Sequence, residues 1–345
     1  MELALIIEKL ILVIVIFSIS LGVAAYSTLA ERKIAAFLQG RVGPHRAGPG
    51  GMFQPLADGG KMFFKEEIIP AESNPILFIL GPSLALLTAC IGSAVIPFGQ
   101  PLTFGNNVVE LQVTDVNVGI LYIFGVVSLG VYGIMIGGWA SNNKFSLMGA
   151  IRAASQNISY EVAMGLSIIA LLMVTGTLSL KEIAEQQSGF LNWNIWSQPL
   201  GFLLFLICAF AECNRTPFDL PESENELVAG YHTEYSGFKL GAFLFAEYIN
   251  MFVSSAVMST LYFGGYNFPF MNDLGLSQNL ITIIGVIVLF AKIFFFIFFF
   301  MWIRWTVPRF RYDQLMNLGW KILIPVAIAN IVLTGIWITV KENLF

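Results

Sequence analysis

The chain has 345 residues, 57% of them hydrophobic and only 12% charged, with 31 phenylalanines, a mean hydropathy of +0.76 and a formal net charge of −4. That composition excludes an ordinary soluble domain, and the length excludes a single-span anchor. A transmembrane helix needs roughly 20 mostly apolar residues, and eight runs approach that length: residues 6–29, 76–96, 116–139, 159–177, 195–212, 238–263, 280–303 and 322–339. They are helix-length and lack the short alternation of a membrane barrel. The expected fold is therefore an all-α polytopic membrane protein, a single integral membrane domain of about eight transmembrane helices. The first run lacks a basic start and a small-residue cleavage site, so it reads as a span and not a cleaved signal.

After the first run comes a charge cluster, Ala30-Glu31-Arg32-Lys33, at the expected inner interface. QGRVGPHRAGPGG, residues 39–51, holds five glycines and two prolines, which rule out regular structure and hold Arg41 and Arg46 on a constrained loop. Residues 55–67 read as a short amphipathic helix, too short and too charged to span. Leu56, Gly60, Phe63 and Phe64 lie on one face, with Lys61 and Lys65 roughly opposite, which suits the interface plane. The loop at residues 97–115 carries no lysine or arginine, and residues 108–113 suit a short strand. Residues 141–160 read as a further loop, which puts Glu161 at the start of the fourth span, near the interface.

Residues 211–230, AECNRTPFDLPESENELVAG, are the densest in charge. Glu212, Asp219, Glu222, Glu224, Glu226 and, just beyond, Glu234 surround Arg215, while Pro217 and Pro221 prevent a long helix. Extended backbone puts Glu222, Glu224 and Glu226 on one face, whereas a helix brings only Glu222 and Glu226 together. In either case close carboxylates resist simultaneous ionisation, which suits proton transfer near working pH, and Arg215 can hold one of them ionised. Glu247 lies nine residues into the sixth span, roughly 13 Å deep at 1.5 Å per residue. Acids at such depth face a bundle interior or water. Lys292, within the seventh span, is the available opposite charge for a structural pair.

Fourteen of the 18 basic residues fall on one set of alternate loops; Lys9, Lys181 and Lys341 lie on the other side and Lys292 within a span. The positive-inside rule then puts both termini outside and the acidic stretch on the cytoplasmic or matrix side. Cys90, Cys208 and Cys213 have no Cys-x-x-Cys spacing, and His45 and His232 are far apart, so no haem, metal or other redox centre is expected.

Four stretches resemble one family: LAERKIAAFLQGRVGPHRAGPGGMFQPLADGGKMFFKEE, LMGAIRAASQNISYEV, AECNRTPFDLPESENELVAGYHTEY and RWTVPRFRYDQLMNLGWK. They are similar to the H-type membrane subunit of proton-translocating NADH–quinone oxidoreductase, respiratory complex I, counterpart of mitochondrial subunit 1, and together cover essentially the whole chain. The resemblance implies a subunit joining the electron-transfer arm to the membrane arm in a bacterial inner membrane. It has no cofactor of its own, takes quinone as substrate, and has FMN and iron–sulfur clusters in partner subunits. It implies that the first span, interfacial helix and sixth span frame the quinone opening. Glu31, Arg32 and Arg41 would lie near that opening and the chamber floor, with Arg215 and Asp219 further along. Glu161, Glu212, Glu222, Glu224, Glu226 and Glu247 would lead from chamber to proton-pumping subunits. The acidic loop here reads PESENELV where EGESELV is typical, exchanging glycine for bulkier residues.

A related subunit of a hydrogenase or ferredoxin-linked complex would share this framework without quinone. A stand-alone transporter would show interrupted spans and recognisable halves, and neither is evident. A purely structural anchor would have little use for Glu247 or Lys292.

Overall fold

The computed structural model describes residues 2–104, 107–269, 271 and 275–344. Among the described residues its regular structure is helical apart from one antiparallel hairpin. Helix α1 runs Glu2–Leu38, α2 Gln54–Phe64, α3 Pro75–Gly92, α4 Gly119–Ala140, α5 Lys144–Thr175, α6 Leu180–Gln186, α7 Asn194–Ser197, α8 Pro199–Glu212 and α9 Glu224–Leu227. They are followed by α10 Gly237–Tyr262, α11 Gln278–Thr306, α12 Tyr312–Asn317 and α13 Ile324–Leu344. Strands β1, Leu102–Phe104, and β2, Asn107–Val109, pair in the third loop, so the strand expected at residues 108–113 is shorter and begins earlier.

Among the described residues seven helices are long and apolar enough to cross a membrane. The run expected at residues 195–212 is divided: α7 ends at Ser197, and α8 begins at Pro199 after a non-helical Gln198. Proline restricts the residue before it and lacks the N–H that would continue the helix. The remaining 14 residues of α8 rise about 21 Å, against a hydrocarbon core of about 30 Å. The chain beyond α8 is buried from Cys213 to Pro221. Irregular backbone next to a bilayer is stable when protein covers it in this way.

Two boundaries move in ways that matter for the site. Residues 144–158, expected as loop, are the first half of α5, which runs unbroken for 32 residues. Its buried face is Ser146, Gly149, Ala150, Ala153, Ala154 and Asn157, a helical stripe of small residues that carries almost no apolar signal. Glu161 therefore sits mid-helix and not at a helix start, and its carboxylate accepts a hydrogen bond from Ser128 on α4. Asn143 caps the helix, its side chain accepting from Phe145 N at 2.8 Å, and Gly176 ends it in the left-handed conformation.

Helix α10 is the axis of the fold, packing on α1, α2, α3, α8 and α11, with 67% of its apolar window buried against 11% for α1. α3 and α4 cross closely at glycines: a Cβ on Gly81 would lie 2.7 Å from the Gly137 Cα. α13 continues from α12 through a π-helical turn, Leu318–Leu323.

Candidate functional site

The site lies where α1, α10, α11 and the segment after α8 converge. Gln156 on α5 shapes that segment, its side-chain amide donating to Ala211 O at 2.8 Å, Phe218 O at 2.9 Å and Asn214 Oδ1 at 3.2 Å. This leaves Arg215 4% exposed and pointing into the bundle. Its Nη1 donates to Glu31 Oε2 of α1 at 3.3 Å, and its Nη2 lies 3.8 Å from Glu247 Oε2 of α10. The guanidinium rests on the Tyr248 ring, 4.2 Å from its centroid. Glu31 also accepts from Arg304 Nη1 of α11 at 2.5 Å and from the Tyr248 hydroxyl at 2.8 Å. Four elements are thus tied by one buried ionic network.

On its far side the network continues through Tyr231. The phenol lies 2.8 Å from Glu247 Oε1 and 3.0 Å from Glu222 Oε1. It carries one proton, so it donates to one carboxylate at a time. Burial, reinforced by the charges of Glu247 and Glu222, holds Tyr231 well above its ordinary pKa and keeps that proton on. Gly230 makes the turn possible: at φ +61 it sits so close to Pro221 that a Cβ would fall 1.7 Å from the Pro221 carbonyl oxygen. For Glu222 burial favours the neutral acid. Hydrogen bonding with Glu247, the charges of His232 and Arg215, and the Tyr231 hydroxyl outweigh it and hold Glu222 below the ordinary carboxylate range. His232 Nδ1 stands 3.7 Å from Glu222.

The three loop glutamates adopt neither arrangement expected for them. α9 begins at Glu224, so Glu222 turns inward to Tyr231 while Glu226 turns outward to Arg152 Nη1 at 2.6 Å. The Glu224 side chain lies outside the described residues. Lys292 is not the partner of Glu247: its ammonium donates to the carbonyls of Phe263, Gly265 and Asn267 at 2.7–2.8 Å and sits over the Trp193 ring. Arg41 is exposed, donating to Gln39 at 2.6 Å.

Asp219 is held by Arg309 Nη2 at 2.8 Å. Burial and the charge of Glu222 push its pKa up to about 6, against the opposing pull of Arg309, Arg304 and Arg215. Above that pH the pair is ionic; as pH falls through about 6, Asp219 takes up a proton and Arg309 loses its ionic partner. Activity that needs this pair should decline on the acid side with an inflection near pH 6, and Asp219→Asn should remove that inflection from the pH–rate profile. An unchanged inflection assigns the titration to another group.

Three cavities follow this network. One of about 210 Å³ opens between α1, α2 and α10, with Thr28, Glu31, Arg32, Gly59, Met62 and Tyr248 in its wall. Arg32 Nη1, bound to Asp58 at 2.7 Å, ties α1 to α2 across its mouth. A second of about 30 Å³ touches Glu247, Tyr231, Asn250, Asn157 and Glu212, and a third of about 20 Å³ continues past Glu212 and Ser254. Both are polar enough and large enough to hold a water molecule, which needs about 10–15 Å³. Beyond them Glu161 is the next acid, on the Ser128 hydroxyl. Among the described residues no cluster of three or more His, Cys, Asp or Glu is arranged to hold a metal.

A family model described as NADH dehydrogenase matches residues 10–335. The chain is 68% identical over 328 residues to the NADH-quinone oxidoreductase H subunit 1 of Cytophaga hutchinsonii, covering 95% of this chain and 96% of the relative. The chain belongs to the H-subunit family of NADH-quinone oxidoreductase. It is similar to the H subunit of Flavobacterium johnsoniae, 64% over 97% of this chain and 96% of the relative, and to that of Thermomicrobium roseum, 48% over 93% of each. As a member of that family it is a multi-pass membrane subunit of complex I, an NADH–quinone oxidoreductase built with other subunits. In this complex I subunit the site residues that sequence reasoning did not single out are Tyr231, Tyr248, Arg304, Arg309 and Gln156. Arg304 and Arg309 were visible only as positive loop charges, and the tyrosines stand beside Glu247 and His232 without any pattern that marks them as partners.

Proposed function

We propose that this chain, as a single integral membrane domain, forms part of the quinone entrance and binding chamber of complex I and couples quinone reduction to proton translocation. The observation that carries this is the 210 Å³ cavity framed by α1, α2 and α10, whose inner wall, Glu31 and Tyr248, is also the start of the Arg215–Glu247 network. Quinone reduction consumes protons and changes the charge in the chamber. Glu31, Arg32, Arg215 and Asp219 surround that event, with Arg41 on the approach. Glu247, Glu222, Glu212 and Glu161, with Glu224 and Glu226 on the loop, relay the change as proton shifts. The electrons come from FMN and iron–sulfur clusters in the peripheral-arm subunits, and neighbouring membrane-arm subunits receive the protons.

The test is to narrow the cavity. An added Cβ at Gly59 meets nothing within 4 Å, so Gly59→Trp should fill the opening without disturbing α2. NADH oxidation with quinone should fall severalfold, while oxidation with a soluble artificial acceptor stays unchanged. Undiminished quinone reduction in assembled complex removes the entrance from this place.

Both termini are proposed to lie outside, on the strength of the fourteen inward-facing basic residues. Cysteines introduced at the exposed Lys65 and Val108 should be labelled only from the cytoplasmic and only from the outer side, respectively. Labelling of position 108 from the cytoplasm overturns this orientation.

A further inference from the structure

In the half of the bilayer away from the acidic site, a cleft of about 470 Å³ separates α1 from α3. Its walls are apolar, with Val13, Ile16 and Phe17 on α1 and Leu87 and Cys90 on α3, and Val113 of the following loop lies at its outer end. Along α3 the wall runs from Ser83 to Ile91, about 12 Å at 1.5 Å per residue. Its length and apolar walls suit a hydrocarbon chain.

The mouth carries charge. Lys9, Val13, Ile16 and Phe17 follow i, i+4, i+7 and i+8, one stripe of α1, with Lys9 a turn outward from the cleft. Its ammonium donates to the Gln112 carbonyl at 3.3 Å, beside Val113, and has two further protons to give. Among the described side chains, other charges nearby do not cancel it. Glu110 and Asp115 are engaged by Lys181 at 3.2 and 4.0 Å, and Glu8 lies about 100° round the helix from the stripe. Lys9 forms no ion pair among the described residues.

We propose that this cleft binds an anionic phospholipid, with an acyl chain between α1 and α3 and the phosphate at Lys9. α1 packs on α10 and α11 and reaches the α3 side only through the turn at residues 93–95, so a lipid in the cleft would fill the space between α1 and α3.

The test uses the assembled complex in vesicles of equal phosphatidylglycerol and phosphatidylcholine, with Phe17→p-benzoylphenylalanine as a photoreactive probe. Irradiation should give lipid adducts in which phosphatidylglycerol predominates. Lys9→Gln should lower that preference about fivefold, the weight of one lysine at an anionic surface. Leu87→Trp, which fills the cleft, should suppress adducts of both lipids. Equal labelling of the two lipids, no lipid adduct, or an adduct to a neighbouring polypeptide overturns the proposal.

Discussion

Arg215→Ala should cause the largest loss of any single substitution in this chain, lowering both the amount of assembled complex and its quinone reductase activity. The guanidinium is buried between Glu31 and Glu247 and stacked on Tyr248. Removing one member of a buried ionic group leaves uncompensated charge, at a cost of about 3–5 kcal/mol. Glu31 keeps Arg304, so the loss falls chiefly on the contacts to Glu247 and to the Tyr248 ring. Arg215→Lys separates structure from function. A lysine restores the charge, and with it assembly, but a compact ammonium cannot reach both acids and lie flat on the ring. Its turnover per assembled complex should remain low. Full turnover in Arg215→Lys would show that charge alone suffices and that the bridging geometry is incidental.

Glu247→Gln should leave assembly intact and slow both quinone reduction and proton pumping, on the order of a hundredfold, the lower end of what a positioned proton-transfer group contributes. Had Lys292 been its partner, the glutamine would have stranded a buried cation. Lys292 instead has three carbonyls, and Arg215 keeps Glu31. Glutamine still accepts the Tyr231 hydroxyl, so the local geometry survives while the titrating carboxyl is lost. Glu247→Asp retains a titrating group and should be milder. The measurement is complex content of membranes together with quinone-dependent NADH oxidation and dye-reported acidification. Normal content with normal rates and pumping would remove Glu247 from the relay.

Much of this organisation was legible because membranes impose simple rules. Seven long apolar helices, the short α2 and the depth of Glu247 within α10 all follow from run length and charge. The first half of α5 was hidden, because its buried face is built from glycine, alanine and serine, which pack closely without raising hydropathy. Reading it as loop put Glu161 at the start of a span, whereas it lies in the middle of one helix. The Arg304–Glu31, Arg309–Asp219 and Arg215–Glu31 pairs join positions far apart in sequence, which no local pattern encodes. The divergence of Glu222 and Glu226 depends on the turn at Gly230, whose necessity appears only when Pro221 is seen against it.

The shortness of α8 bears on how the protein is made. Fourteen residues fall below the length that partitions into a bilayer alone, and the segment after them carries Arg215 and backbone carbonyls that lipid cannot solvate. Gln156, already delivered on α5, satisfies the Ala211 carbonyl in the last turn of α8 and the Phe218 carbonyl beyond it. Insertion of α8 is therefore a cooperative event that waits for α5, and the order of the chain supplies the template before the segment that needs it.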